Sequence, residues 1–333
     1  MKKGEKKGIF TISLDFELYW GMRDVISQEG YAANLEGVPE AVDLMLQHFE
    51  TYGIHATWAT VGFLYFSSRE ELLEHLPPDR PHYRNKAYDL YDYIETEERL
   101  EPAHHFAPDV IQKIAQSPHQ EIGTHTFSHY YCLEEGQERE TFHADLQAAI
   151  EVAGAKTDRG VESLVFPRNQ WNEHYLSVLS DLDIACYRGN EKGWVYSAAS
   201  QDNMSLFKRA LKLLDSHINL TGHHSYPLQD LAGAIPYDIP SSRFLRPSKG
   251  RFSLLEKLRL KRIKDSMTHA AKRGELFHLW WHPHNFGRDI QANIRQLVEI
   301  LEHYRRLERD DGMYSLSMGE IAAKLRKLEG CQP

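Results

Sequence analysis

Glu121-Ile122-Gly123-Thr124-His125-Thr126-Phe127-Ser128-His129 runs from an apolar stretch directly into a His-x-x-x-His pair. That spacing sets two imidazoles one helical turn apart, close enough to share one divalent cation. Such pairs also occur on surfaces without consequence, so the neighbours decide what this one means. Gln120 to Thr124 reads as a strand, with helices expected over Pro108 to Ser117 before it and Arg139 to Ala153 after it.

The same unit recurs outward in both directions. Ile9 to Leu14 is apolar and β-branched and ends at Asp15 and Glu17; a helical pattern over Pro39 to Tyr52 follows, closed by Gly53 where a C-cap belongs. Ala56 to Val61, Ser163 to Phe166, Ile184 to Tyr187, Leu276 to Trp281 and Met313 to Leu316 read as further strands. Asn172 to Leu182 and Ile290 to Arg306 read as helices. This alternation predicts parallel strands covered by helices, with a functional site at the strand carboxyl ends.

A chain of 333 residues with 41% hydrophobic and 26% charged residues can bury a sizeable core. α/β barrels of about 250 residues or more commonly form one unit, so a single domain over 1–333 is expected. Two stretches break the rhythm. Phe66 to Ala107, rich in proline and tyrosine, reads as an insertion or lid over the mouth, and Arg246 to Lys264 carries eight basic residues among apolar ones. A net charge of −9 with both signs interspersed excludes the long basic field that nucleic acid needs. Three scattered cysteines give neither a disulfide framework nor a metal site. The early acids leave no room for a signal sequence, so the expectation is a cytoplasmic protein.

Asp15 and Glu17, at i and i+2, project from one face if the strand continues. One could complete a His-His-carboxylate metal site while the other acts as a base, and the sequence leaves their order open. Arg168, after the strand ending at Phe166, could fork onto a carboxylate. His282, after Trp280-Trp281, would sit at the mouth as a proton donor, with His284 as its competitor. Trp58, Trp171, Trp194, Trp280 and Trp281 offer candidate sugar platforms.

Taken in order, Ser13-Leu14-Asp15-Phe16-Glu17, Ala56-Thr57-Trp58-Ala59-Thr60-Val61-Gly62, His125-Thr126-Phe127-Ser128-His129, Val165-Phe166-Pro167-Arg168-Asn169-Gln170 and His278-Leu279-Trp280-Trp281-His282-Pro283-His284 resemble the landmarks of the NodB-type polysaccharide deacetylases, the carbohydrate esterase family 4 kind. The resemblance covers roughly Ile9 to His284. It implies an α/β fold, a distorted (β/α)7-type barrel of the glycoside hydrolase and deacetylase kind. It further implies a hydrolase acting on a linear amide C–N bond, one that removes an acetyl group from an amino sugar in a polysaccharide or in its nucleotide- or lipid-linked precursor.

The roles carried over are Asp15 as base, His125 and His129 as metal ligands, Arg168 as the residue orienting the base and His282 as acid. Zinc is the expected cofactor, with cobalt or manganese as alternatives. Asn169, Gln170 and His284 are the expected substrate contacts. One position departs from the family: its second aspartate, a metal ligand, falls on Phe16, and Glu17 is the expected replacement. Two other readings stay open, a cyclic amide or ureide hydrolase on the same fold and a carbohydrate-binding protein without catalysis. The basic stretch 246–264 could also lie on an anionic membrane. The sugar, its carrier and the oligomeric state are not legible in the sequence.

Overall fold

Ile9–Phe16 forms β1, and all eight of its residues are buried, as expected for an apolar strand covered on both faces. The computed structural model describes residues 6–193, 195–196, 206–248 and 254–330. In it β1 is central. The strand Ala56–Thr60 (β2) lies on one side, in parallel register with Leu14 opposite Trp58 and Asp15 opposite Ala59. The order continues through Gln120–Thr124 (β3), Ser163–Val165 (β4), Cys186–Gly189 (β5) and Tyr237–Pro240 (β6), each parallel to its neighbour. On the other side of β1, Arg243–Phe244 (β7) pairs with Glu275–Trp281 (β8), and β8 pairs with β1.

The chain passes from β6, on β5, through Ser241 and Ser242 into β7, on β8. Those two residues bond to both sides: Ser241 N–H donates to Gly189 O and Ser242 N–H to His278 O. The curled sheet therefore has its two edges bridged, giving the barrel-like α/β architecture. Because these strands are parallel, their carboxyl ends share one rim.

One long helix shows why the outer layer forms. Val38–Tyr52 (α1) buries Val38, Ala41, Val42, Met45 and Phe49, spaced three and four apart. It has Pro39 in its first turn and ends at Gly53, in the left-handed region at φ 62°. Burial of Met45 and Phe49 contributes roughly 1.5–3 kcal/mol each. Pro108–Gln116 (α2), Arg139–Thr157 (α3), Leu254–Arg273 (α4) and Ile290–Asp311 (α5) extend the layer. No helix among the described residues is long and apolar enough to cross a membrane.

Several sequence expectations shift. Asn172 to Leu182 is a 3-10 turn followed by a short α-helix over Leu176–Asp181. The strand expected at Ile184 to Tyr187 instead runs over Cys186–Gly189, which brings Arg188 onto the rim. The bridging strands Tyr237–Pro240 and Arg243–Phe244 were not anticipated; they are short, and Pro240 interrupts their pattern. Phe66 to Ala107 holds short helices, and its Leu90, Tyr91 and Ile94 join the main core. Trp194, Cys331 and residues 249–253 of the basic stretch lie outside the described residues.

Candidate metal centre and its surroundings

At the end of β1 the pleat decides which side chains meet. Asp15 and Glu17 are 3% exposed, while Phe16 between them packs edge-on against Trp58 at 6.5 Å between ring centroids. A ligand at position 16 would have to come from the wrong face. Glu17 Oε2 lies 3.2 Å from His125 Nε2 and 3.0 Å from His129 Nε2. The three ligand atoms fall within 4.8 Å of one another, and the residues are buried.

The hydrogen bonds fix what those nitrogens offer. His125 Nδ1 is 2.7 Å from the carbonyl oxygen of Val165, which can only accept, so Nδ1 carries the hydrogen and Nε2 is the nitrogen free to act as a ligand. Burial lowers the pKa of His129 to about 4, which keeps its ring neutral. Two imidazole nitrogens thus face one carboxylate oxygen, a cluster of donor atoms that could hold a cation. The donor set fits a divalent metal with the nitrogen and oxygen preferences of zinc.

The loop that brings the histidines together is not the helical turn expected from their spacing. Thr126 and His129 both adopt left-handed backbone, at φ 64° and 58°. Asp145, on α3, holds this shape by accepting from Phe127 N–H at 2.7 Å, Ser128 N–H at 3.2 Å, the Ser128 hydroxyl and Tyr91 Oη–H at 2.8 Å. Gly62 N–H donates to Thr126 O at 2.9 Å from a turn where any Cβ would strike Phe127. A Cβ on Gly21 would likewise fall inside the Glu17 carboxyl group. Tyr131, which stacks edge-on to His129, is packed by Tyr88 from the 66–107 segment and hydrogen-bonded by Tyr83.

Asp15 turns away from the histidines. Arg188 Nη1 donates to its Oδ1 at 2.5 Å and Nη2 to its Oδ2 at 2.7 Å, while the guanidinium lies 4.2 Å from the Trp280 ring centre. Burial works against the Asp15 charge, but Arg188 outweighs it and, with His125 and His282, holds the carboxyl below its ordinary pKa. Burial opposes Glu17 too; His282, together with the neighbouring His125 and His129, holds it well below the usual range.

Arg168 does not orient Asp15, which corrects the sequence expectation. The turn Pro167–Asn169 puts Arg168 in left-handed backbone at φ 54°, and its guanidinium pairs with Asp24 and lies 4.8 Å from the Tyr131 ring centre. Arg188, one strand further along, takes the fork position. The available signal was a charge directly after an apolar strand and before Gly189, hidden by ending that strand at Tyr187. Gln170 is also corrected: it is fully buried and donates to Glu134 at 2.6 Å, so it is not presented to a sugar. Asn169 joins the centre indirectly, accepting from Arg188 at 2.9 Å.

His282 Nε2 lies 3.6 Å from both Asp15 Oδ2 and Glu17 Oε1, and at 22% its side chain is the most open of this group. His284 is drawn inward by the Pro283–Phe286 turn, buried against Tyr31, with Nε2 3.9 Å from Glu17 Oε1. Burial and the adjacent His282 push its pKa down to about 3. It therefore belongs behind the centre and not on the substrate side, contrary to expectation.

Residues 30–187 match the polysaccharide deacetylase family. The matched span contains His125, His129 and Arg168, and excludes Asp15, Glu17, Arg188 and His282. No curated protein matches the chain. Among solved structures, a Mycobacterium smegmatis protein provisionally assigned as a polysaccharide deacetylase aligns with 13% identity and a TM-score of 0.57, over 99% of this chain and 94% of its own. A GH57-type branching enzyme from Pyrococcus horikoshii aligns with 11% identity and a TM-score of 0.53, over 95% and 70%. A 4-alpha-glucanotransferase from Thermococcus litoralis aligns with 11% identity and a TM-score of 0.51, over 96% and 40%. At these identities the structures establish a shared fold.

Proposed function

The chain carries a polysaccharide deacetylase family segment at residues 30–187, and from that premise we propose that it is a metal-dependent N-deacetylase acting on the acetamido group of an amino sugar. One observation carries the reading: Glu17 Oε2 lies between two imidazole nitrogens, one of which has its tautomer locked by Val165 O. That geometry supports Glu17, His125 and His129 as the ligands, with Asp15 acting on protons.

A divalent cation held there, zinc or a substitute such as cobalt or manganese, supplies Lewis acidity that polarises an acyl carbonyl and acidifies water. Asp15, kept ionised by the Arg188 fork, accepts the proton of the attacking water. The water oxygen bonds to the acyl carbon and the C–N bond breaks. His282, the most open of these groups, delivers a proton to the departing nitrogen, leaving a carboxylate and a free amine. Arg188 also fixes Asp15 in place through Ser13 and Asn169, so the base does not wander toward the metal ligands.

Acetate release from N-acetylated amino sugars, with protein loaded in turn with zinc, cobalt and manganese, tests this reading. Activity that depends on the loaded metal is expected. Ring opening of cyclic amides without acetate release would move the activity to the ureide class, and stoichiometric failure to hold any of the metals would favour a non-catalytic carbohydrate binder.

The proposal extends to peripheral membrane contact through 246–264. Leu254 (73% exposed), Leu255 and Leu258 stand out from the first turns of α4 beside exposed Lys257 and Lys261, while Leu260, Ile263 and Met267 anchor the helix in the core. This supports a shallow contact by one helix end. Sedimentation with anionic vesicles but not with neutral ones is the expected result; equal recovery in both supernatants would remove the contact from the proposal.

A further inference from the structure

A cavity of about 240 Å³ lies against the proposed reaction centre. Trp280 and Phe244 form part of its wall, and each ring centre is 5.7 Å from that of His282. Asn169, also on the wall, accepts from the same Arg188 nitrogen that holds Asp15 Oδ2. A molecule in this cavity would thus sit one side chain away from the base and the acid.

The lining is strongly cationic in a chain whose net charge is −9. Arg168, Lys212, Arg243, Arg246, Arg259 and Arg262 face it, and Glu191 is the one carboxylate among the described lining residues. Behind the wall, Asp24 pairs with Arg168, Asp215 pairs with Arg243 and lies 3.7 Å from Arg262, and Glu256 lies 3.7 Å from Arg259. Among the described residues, five guanidinium groups therefore meet three carboxylates behind the wall. Arg246 has no ion-pair partner among the described residues and rests 5.9 Å from the Phe244 ring centre. Its burial, and that of Arg259 and Arg262, depresses their pKa values from the ordinary guanidinium range.

Surplus cations in a partly desolvated cleft cost free energy that an entering anion recovers. A phosphate, with several oxygens, suits guanidinium forks, and the flat faces of Trp280 and Phe244 suit the apolar side of a sugar ring. Building on the deacetylase reading, we propose that this cavity seats a phosphate or diphosphate group carried by the N-acyl amino sugar, so that the substrate is a phosphate-linked sugar. The carrier beyond the phosphate, nucleoside or lipid, is what the arms of the test separate.

Zinc-loaded protein is compared on four probes: the methyl glycoside of N-acetylglucosamine, N-acetylglucosamine 1-phosphate, UDP-N-acetylglucosamine, and polyprenyl diphosphate-linked N-acetylglucosamine in detergent micelles, with the galacto series in parallel. The 1-phosphate is expected to exceed the glycoside in kcat/KM by about tenfold or more, the effect of one charge-assisted contact. Most of that preference should vanish in R246Q/R259Q through a raised KM. If the double variant does not fold, R246Q and R259Q singly should each remove part of it. Added salt should raise KM for the phosphate probes.

Equal turnover of glycoside and 1-phosphate, or a preference untouched by the arginine variants, overturns the phosphate site while leaving the deacetylase reading intact. If no probe releases acetate, the deacetylase reading fails, and calorimetric binding of 1-phosphate against glycoside to the same variants decides the cavity independently. Higher kcat/KM for the UDP or for the polyprenyl probe than for the 1-phosphate identifies the carrier.

Discussion

Asp15 and Glu17 stand two residues apart where β1 ends, equally buried, yet the two sides of the rim treat them in opposite ways. The side built on β1 to β3 sets Glu17 between the imidazoles of His125 and His129, a cluster that could hold a cation. The side built on β4 to β7 grips Asp15 with the permanent charge of Arg188 and continues into an arginine-lined cavity. Burial is the same problem in both places; on the proposed reading one solution recruits a metal, and the other brings its counter-charge within the chain. On the same reading the first would supply an electrophilic centre and the second would keep a base ionised beside it.

The largest effect should come from breaking the imidazole side. His125→Ala, or removal of metal by a chelator, is expected to lower activity a thousandfold or more, on the several kcal/mol that a Lewis acid contributes, and metal analysis should show the loss directly. Breaking the arginine side should look different. Arg188→Gln leaves Asp15 buried without its partner, so a stability loss of about 3–5 kcal/mol is expected by denaturant titration, with kcat reduced on the order of a hundredfold and metal still bound. Arg168→Gln is the matched control: its kcat should stay much closer to that of the unaltered protein, because its guanidinium meets Asp24 and not Asp15. Comparable losses of kcat in both variants would return the orienting role to Arg168.

His282→Ala probes the point where the two sides meet. Turnover should fall by on the order of a hundredfold with metal stoichiometry unchanged, whereas full activity would move the acid elsewhere. A smaller effect is expected from Gly21→Ala. Its methyl group would displace the Glu17 carboxyl, so metal affinity should drop between about tenfold and a hundredfold. Competition with a coloured chelator measures it, and unaltered affinity would show that Glu17 is not a ligand.

The two sides also differ in how far the sequence revealed them. His125, His129, Asp15 and Glu17 were legible because they cluster in sequence at or just past the ends of two apolar strands, and strand ends define the rim. Parallel strands and covering helices were legible for the same reason, since a long periodic pattern survives errors of a residue or two at its ends. Arg188 was missed through one such boundary error, and Arg168 was given its role because a turn's left-handed residues cannot be foreseen from Pro167-Arg168-Asn169 alone. His284 and Gln170 were misjudged because polar residues near a mouth can equally be tucked behind it. The cationic cavity draws on residues as far apart as Arg168 and Arg262, and no local pattern announces such an assembly.

The smallest expected effect concerns a carboxylate to which the arginine side gives no partner. Asp238, on β6, is half-buried, and its buried Oδ1 has no hydrogen-bond partner; burial raises its pKa to about 6, with Lys192 offsetting only part of the cost. Since the folded-state value lies above that of the unfolded chain, the folded protein binds the extra proton between about pH 4 and 6. This group's contribution to stability therefore falls as pH rises through that window and stays low above it, the reverse of Asp15, whose lowered pKa stabilises the fold above the ordinary carboxylate range. Asp238→Asn should remove the slope and raise stability at pH 7.5 by on the order of 1–3 kcal/mol, seen as the difference between variant and unaltered protein in thermal unfolding from about pH 4.5 to 8. Parallel curves would mean that Asp238 finds a counter-charge after all, and the contrast between the partnered and unpartnered aspartates on this side of the rim would be lost.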